Sequence, residues 1–345
     1  MESLRADSFR QSSHRQFTVT QSADVGAVRR AVTRCADRLR AGPGLADQAG
    51  QAATELATNL LHHALPGGRI LVRPLPPAAV EILAVDHGPG IDDVAAALSG
   101  RSARPYGLGC GLSAVARASS HFDIDTGPGR GTTVLAVMAS GDLSSATGLP
   151  PLRCWAGVSV GIDEACGDGW AVAEVGGGIT VTVVDGLGHG VYASLAADAA
   201  MGALAENPTD LDGYLARANA AMRGTRGGVL AVCRLEPHRG EMRCLSVGNI
   251  SGAILGAGAQ RTLIPFRGVV GTADTPPVGK ITSYPWLPGA TLVLWTDGLH
   301  SQIDLAGCAG LFTHAPAVAA AALHRDHGTD HDDATVVVVR NEVTP

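Results

Sequence analysis

Lysine is almost absent from this sequence of 345 residues. Lys280 is the single lysine among 26 basic residues, and all the others are arginines. It precedes Ile281 and lacks the upstream glycine spacing of a G-x-x-x-x-G-K-[ST] loop, which excludes a P-loop nucleotidase. The V-A-I-K context of a protein-kinase strand lysine is also missing, which excludes a eukaryotic-type protein kinase.

Paired cysteines and long apolar runs are missing as well. The seven cysteines form no C-x-x-C pair, and such an odd, scattered set favours reduced thiols over a disulfide framework or a zinc site. No apolar run reaches the roughly 18 residues of a membrane span, and the polar start MESLRADSFRQSSHRQF is unlike a signal peptide. We therefore expect a cytoplasmic protein without a membrane partner.

Charge and aromatic content are low. Charged residues make up 17%, aromatic residues 4% and hydrophobic residues 46%, with a net charge of −6. This composition is too apolar for a disordered chain and gives no reason to expect a nucleic-acid partner. The length predicts about two domains.

The segment 140–151, SGDLSSATGLPP, is typical of a linker. We therefore predict domains at 1–140 and 152–345, joined by a linker at 141–151. Before it, helical spacing at 23–39 and 46–64 precedes strand-like runs. After it, two alanine-rich helices, near 192–205 and 211–222, interrupt many short strands, so the predicted fold class is α+β.

Glu55 and Asn59 stand four residues apart in a predicted helix, ELATNLLHH. They share one helix face. An amide oxygen there can ligate Mg²⁺ and a carboxylate can polarise an attacking hydroxyl. Taken alone, the pair is better explained as two solvated polar residues on an ordinary helix.

Two glycine-rich segments follow. In VDHGPGI, Asp86 ends an apolar strand and Gly88 and Gly90 allow close backbone approach. In YGLGCGL, glycines open a helix, where backbone N–H groups bind phosphate without a lysine. Each segment alone is also typical of an ordinary turn.

The order and spacing of these pieces resemble the GHKL ATPase/kinase superfamily, and most closely its RsbW/RsbT-type serine-kinase branch, over about residues 16–140. The resemblance implies an α/β sandwich that binds ATP with Mg²⁺. By it, Asn59 would hold Mg²⁺, Glu55 would be the general base and Asp86 would read the adenine amine. The other implied nucleotide contacts are Gly88, Gly90, Gly107, Gly109, Gly111 and Thr132. Relatives often carry a lysine before the phosphate glycines; here residues 101–106 offer Arg104.

Four separated aspartates mark the second half, in the segments GDGW, VVDGLGHG, LWTDG and HDDAT. Three of them adjoin apolar strand-like runs, so we expect them to converge. Clustered carboxylates repel one another unless they are paired, protonated or metal-bound, and oxygen ligands suit Mn²⁺ or Mg²⁺. A single Asp-Gly pair is more simply explained as a turn, but all four aspartate segments in this order are not expected by chance.

These segments, with VGN-x-SG, resemble the SpoIIE/RsbX-type branch of metal-dependent (PPM) serine/threonine phosphatases over about residues 152–341. The resemblance implies an α-β-β-α sandwich that holds two Mn²⁺ or Mg²⁺ ions, with Asp185 in the catalytic centre. The implied metal ligands are Asp168, Asp185, Gly186, Asp297 and Asp332. Asp333 is expected behind this set and Asn249 in a nearby loop. His189 stands beyond the position of the family's general-acid histidine, so a catalytic and a packing role both stay open.

Together the resemblances predict a phosphoserine/phosphothreonine phosphatase fused to an ATP-binding domain with protein-serine kinase activity. The implied substrates are STAS-domain regulators in a partner-switching pathway that involves a sigma factor or a stressosome, and a homodimer fits both families. In the alternative, the N-terminal domain is a non-catalytic, ATP-dependent module that captures a sigma factor or a STAS protein and regulates the phosphatase.

Overall fold

The computed structural model describes residues 11–42, 44–99, 111–141, 154–256 and 259–342. Gly107, Gly109 and the segment 101–106 lie outside the described residues, as does nearly all of the expected linker. The chain divides into two compact units. The N-terminal unit comprises His14–Pro151 and Thr313–Arg325; the C-terminal unit comprises Met1–Ser13, Leu152–Phe312 and Asp326–Pro345.

The N-terminal unit is an antiparallel sheet with helices packed on one face. Its sheet has the order β1-β2-β3-β5-β4. The strands are β1 (Arg15–Val19), β2 (Gly68–Leu75), β3 (Ala79–Asp86), β4 (His121–Thr126) and β5 (Thr132–Ala139), and the helices are α1 (Ser22–Leu39), α2 (Leu45–His63), α3 (Val94–Leu98) and α4 (Gly111–Ala118).

The core of this unit lies between the sheet and its two long helices. Alternate strand residues such as Ile70 and Ile82 point to the helices and pack with Leu56 and Leu60 of α2. The apolar stripe of α2 therefore faces the sheet, which leaves Glu55 and Asn59 on a different, half-buried face.

A buried ion network joins β1 to the next two strands. Arg73 and Glu81 are register partners on β2 and β3, and the Glu81 carboxylate accepts hydrogen bonds from Arg73 Nε at 2.7 Å and from the His14 ring at 2.9 Å. Burial alone would raise the pKa of Glu81, but Arg73 and His14 outweigh it and lower that pKa to about 2. Glu81 is therefore ionised in the folded protein.

A short segment from late in the chain completes the N-terminal unit. The helix α7 (Pro316–His327) follows His314 and Ala315, and Asp123 on β4 accepts hydrogen bonds from the His314 ring at 3.1 Å and from the Ala315 N–H at 2.5 Å. At the other end, Arg325 donates to the Thr133 hydroxyl at 3.2 Å. The sequence pattern did not predict this helix or its place in this unit.

The C-terminal unit contains two five-stranded antiparallel sheets, ordered β13-β10-β9-β8-β7 and β12-β11-β14-β15-β6. The strands are β6 (Trp155–Val160), β7 (Asp168–Val175), β8 (Gly178–Gly186), β9 (Gly228–Glu236), β10 (Glu241–Val247), β11 (Ser251–Gly256), β12 (Ala259–Thr262), β13 (Thr282–Pro285), β14 (Thr291–Trp295) and β15 (Ala334–Arg340). The helices α5 (Val191–Glu206) and α6 (Leu211–Met222) follow β8.

Two apolar layers hold this unit together. Side chains from both sheets meet in one core, where the rings of Trp155 and Trp170 contact edge to face with centroids 6.0 Å apart. The helices α5 and α6 cover the outer face of the first sheet in a second core, through residues such as Met201 and Tyr214. The predicted α+β class is confirmed. Among the described residues, no helix is both long and apolar enough to cross a bilayer.

Candidate functional site

Asp168 and Asp185 face each other across two neighbouring strands. Asp168 is the first residue of β7, Asp185 lies next to the end of β8, and the two are direct register partners. Asp168 is buried and Asp185 is half-buried. Burial and the charge of Asp185 raise the pKa of Asp168 well above its usual range, because ionising both carboxylates at this separation is costly.

The other predicted aspartates come from the second sheet. Asp297 follows β14 and Asp332 precedes β15, and these strands pair so that Trp295 lies opposite Val336. The pKa of Asp185 is raised to about 7. Burial is the largest cause, followed by the negative charges of Asp297, Asp332 and Asp333. The structure therefore brings together all four aspartates that the sequence singled out.

This cluster has the chemistry of a site for hard divalent cations. None of these carboxylates forms an ion pair with an arginine, lysine or histidine that the structure describes. Over the same part of the chain, no three acidic, histidine or cysteine side chains already converge closely enough to enclose one ion. A set of oxygen donors without a cationic partner fits Mg²⁺ or Mn²⁺.

Neighbouring polar groups fix the orientation of these carboxylates. The Thr296 hydroxyl donates to Asp168 at 2.7 Å, and the Asn249 amide donates to Asp297 at 2.7 Å. Asp333 accepts hydrogen bonds from the N–H groups of Ile162 and Gly167, at 2.8 and 2.6 Å. Sequence reasoning missed Thr296, although its place directly after β14 and before Asp297 was a usable signal.

Gly186 lies against the backbone of α5. A Cβ atom at this position would collide with the Ala193 carbonyl, so only glycine lets the helix approach the strand end. The Gly186 N–H donates to Gly167 at 3.2 Å. The predicted carbonyl ligand therefore occupies a position where the chain tolerates no side chain.

His189 is paired with an acidic residue on an adjacent loop. Its Nδ1 lies 2.6 Å from the Asp163 carboxylate, and both side chains are at least half exposed. Asp163 is close enough to Asp333 to raise the pKa of that carboxyl, behind the larger effect of burial. The pair therefore stands on the rim of the acidic cluster, and sequence reasoning missed Asp163.

In the N-terminal unit, Glu55 and Asn59 converge with Gly111. A Cβ added to Gly111 would lie 2.6 Å from Glu55 Oε2 and 3.7 Å from Asn59 Oδ1. The first residue of α4 therefore lies directly against the predicted polar face of α2. This places backbone N–H groups of a helix start beside a carboxylate and an amide, as the predicted nucleotide site requires.

Asp86 is the last residue of β3, the central strand of the same sheet, and lies beside the predicted site residue Thr132. Its register partner on β5 is Thr132, and its carboxylate accepts the Gly88 N–H at 2.8 Å. Burial raises the pKa of Asp86, although the Gly88 N–H and Arg325 act against this. The Thr132 hydroxyl lies 3.0 Å from that of Thr126, so these two hydroxyls are within hydrogen-bonding distance at the same end of the sheet.

Gly90 has a conformation that favours glycine. Its φ is +80°, and a Cβ here would collide with the carbonyl of Gly127. The close approach predicted for this loop is therefore an approach to the chain's own backbone.

Two families match successive parts of the chain. Residues 18–138 match the family described as histidine kinase-like ATPase domain. Residues 176–342 match stage II sporulation protein E, SpoIIE; Asp168 lies before this match, and the other three aspartates lie within it. No curated protein sequence matches the chain.

Several solved structures are similar to parts of this chain. One, from a study of the bacterial stressosome as a modular system adapted to secondary messenger signalling, is 28% identical over 54% of this chain and 98% of its own, with a TM-score of 0.51. RsbX in complex with magnesium is 19% identical over 53% of this chain and 92% of its own, with a TM-score of 0.47. The phosphatase domain of SpoIIE from Bacillus subtilis, with a regulatory fragment, is 15% identical over 94% of both chains, with a TM-score of 0.45.

Proposed function

We propose that the chain joins a histidine-kinase-like ATPase domain to a SpoIIE-type protein phosphatase domain, and that it removes phosphate from phosphoserine or phosphothreonine in a STAS-domain regulator. The observation that carries the hydrolytic part is the convergence of Asp168, Asp185, Asp297 and Asp332, which lie far apart in the sequence. The likeness to a protein studied in the context of the stressosome supports a partner of this kind.

The acidic cluster is the proposed metal centre. Its ligands are the carboxylates of Asp168, Asp185, Asp297 and Asp332 and the carbonyl of Gly186. Two Mn²⁺ or Mg²⁺ ions held by these groups would supply a nucleophilic water for in-line attack on phosphorus. Asp185 is central because the ligand carboxylates of Asp297 and Asp332 act on it, as does the neighbouring Asp333. Thr296 and Asn249 hold Asp168 and Asp297 in place by hydrogen bonds.

The phosphatase proposal is tested with a phosphorylated STAS-domain protein and Mn²⁺. We expect Asp185→Asn to lower phosphate release well beyond tenfold, because a lost ligand costs several kcal/mol, of which each ~1.4 kcal/mol is a factor of ten. Asp212→Asn, an exposed aspartate paired with Arg243, is the matched control and should retain activity. Equal phosphate release by wild type and Asp185→Asn would overturn the metal role.

The N-terminal unit is the proposed ATP·Mg²⁺ site and serine kinase. Asn59 would ligate the ion, Glu55 would take the proton of the attacking hydroxyl, and Asp86 would accept a hydrogen bond from the adenine amine. The glycines at 88, 90, 107, 109 and 111 and Thr132 complete the proposed contacts. Transfer of labelled γ-phosphate to an unphosphorylated STAS protein, lost in Glu55→Ala, tests the kinase. Transfer that persists in Glu55→Ala would contradict the assignment.

A second candidate for this unit is a binding module without catalysis. It is favoured by the replacement of the lysine found in relatives by the arginines of residues 101–106, because a planar guanidinium does not reproduce an ammonium point charge. Calorimetry with a STAS protein or a sigma factor, with and without ATP, separates the two functions. ATP-dependent capture without phosphate transfer supports the module.

A further inference from the structure

Arg226 lies in the loop between α6 and β9 and stacks on an aromatic ring. Its guanidinium carbon is 5.2 Å from the ring centroid of Tyr192, in the first turn of α5. Both side chains are exposed. A guanidinium over an aromatic face is held in position with its N–H groups still directed outward.

The loop of Arg226 is tied to the loop that follows Asp185. The Leu187 N–H donates to the Gly227 carbonyl at 3.0 Å, and Gly186 and Gly228 are register partners at the ends of β8 and β9. Gly227, which follows Arg226, is therefore hydrogen-bonded to Leu187, which follows the proposed metal ligand Gly186.

Gly188 leaves the space that the guanidinium occupies. Its φ is +84°, and a Cβ here would lie 2.9 Å from Arg226 Nη1. A side chain at position 188 would displace the arginine. Arg226 is thus seated against the glycine of the D-G-L-G segment itself, not on a remote part of the surface.

Arg226 also keeps its hydrogen-bonding capacity. Among the described residues, the Arg226 guanidinium forms no ion pair and stacks only on the Tyr192 ring. Arg223, in the same loop, is ion-paired with Asp274. An arginine stays protonated and presents five donors in a fork that matches phosphate oxygens. A doubly charged phosphate that approaches a set of carboxylates needs such a cation.

We infer that Arg226 binds the phosphoryl oxygens of the substrate and positions the phosphoester at the acidic cluster. The inference rests on the proposed phosphatase function and assigns it a substrate-binding residue. Arg226 donates hydrogen bonds only, and no proton or covalent bond passes to it. The Tyr192 ring stacks on the guanidinium and holds it in place. Gly188 has no side chain and so leaves room for it.

The test compares Arg226→Ala and Arg226→Lys with Arg223→Ala as the matched control. Inorganic phosphate is the probe, measured by calorimetry on the Mn²⁺-loaded protein and as a competitive inhibitor. We expect Arg226→Ala to weaken phosphate binding about tenfold, the size of one charge-assisted hydrogen bond. Arg226→Lys should recover part of this and Arg223→Ala should match wild type.

Kinetics and metal binding separate recognition of phosphate from a structural role. We expect kcat/KM in Arg226→Ala to fall about tenfold or more for a phosphoprotein and for p-nitrophenyl phosphate alike, while the affinity for Mn²⁺ alone stays unchanged. Unchanged phosphate affinity, or a Mn²⁺ affinity that changes by the same factor, would overturn the inference. A wild-type protein that binds phosphate but hydrolyses neither substrate would instead overturn the proposed function.

Discussion

Asp168 and Asp185 are direct neighbours across an antiparallel strand pair, where like charges destabilise the fold. Asp168→Asn removes the cost of burying a second carboxyl group beside Asp185, a cost that the raised pKa of Asp168 reflects. We therefore expect the metal-free protein to gain roughly 1 kcal/mol and its Tm to rise by about 2–4 °C. The same change should reduce the Tm increase that Mn²⁺ produces in wild type. Calorimetric scans with EDTA and with Mn²⁺ check both effects, and a lower metal-free Tm would contradict the first.

Gly111→Ala is expected to separate nucleotide binding from phosphate transfer. The added Cβ would lie 2.6 Å from Glu55 Oε2, so the carboxylate must move while Asn59 is less affected. We expect γ-phosphate transfer to fall about tenfold or more, since displacement of a general base costs at least this much, and ATP affinity to fall less. Gly202→Ala, a helical position with open space around it, is the control. If γ-phosphate transfer and ATP affinity fall by the same factor, the result argues against a positioning effect on Glu55.

Glu81→Gln tests the buried network of Arg73, Glu81 and His14. The carboxylate is fully buried, and its loss removes the charged acceptor of the hydrogen bonds from Arg73 and His14. We expect a loss of about 3–5 kcal/mol in the free energy of unfolding, measured by urea denaturation of the N-terminal unit's transition. The double variant Arg73→Met/Glu81→Met should lie closer to wild type, because it removes both charges. A single variant as stable as wild type would show that the network contributes little.

The His314–Asp123 pair predicts a pH dependence of stability. The hydrogen bond to Asp123 raises the pKa of His314 despite partial burial, so protonated His314 stabilises the folded state. This contribution is complete below the unfolded pKa of about 6.5 and is lost as the pH rises through the raised folded pKa. His314→Gln should therefore cost about 1 kcal/mol at pH 6 and less at pH 9. NMR titration of His314 and unfolding of both proteins at the two pH values check this, and a pH-independent difference would contradict it.

The sequence predicted the parts of the fold that rest on local patterns. The apolar spacing of α1, α2, α5 and α6 and the apolar runs that end in Asp86, Asp185 and Asp297 are visible without tertiary information, and the structure places helices and strand ends there. The ends of these apolar runs also predict where the site aspartates lie. That is why the aspartates of the second half are expected to converge before any register is known.

The remainder depends on long-range packing. The helix α7, PAVAAAALHRDH, has ten successive buried residues, Pro316 to Arg325, so it shows no polar face to reveal its period. Arg226 and Tyr192 lie 34 positions apart and meet only because two loops pack together. Asp163 carried no motif of its own, and its pairing with His189 follows from the turn after β6. No local pattern records such contacts.

The N-terminal unit is discontinuous along the chain, since residues 313–325 belong to it. During translation, Asp123 and Thr133 emerge long before their partners His314, Ala315 and Arg325. A fragment that stops at the linker therefore lacks one piece of its own structure, and co-expression with the remaining half would have to supply it in trans. Synthesis of this unit ends only when nearly all of the C-terminal unit has also left the ribosome, so the two units are completed together rather than one after the other.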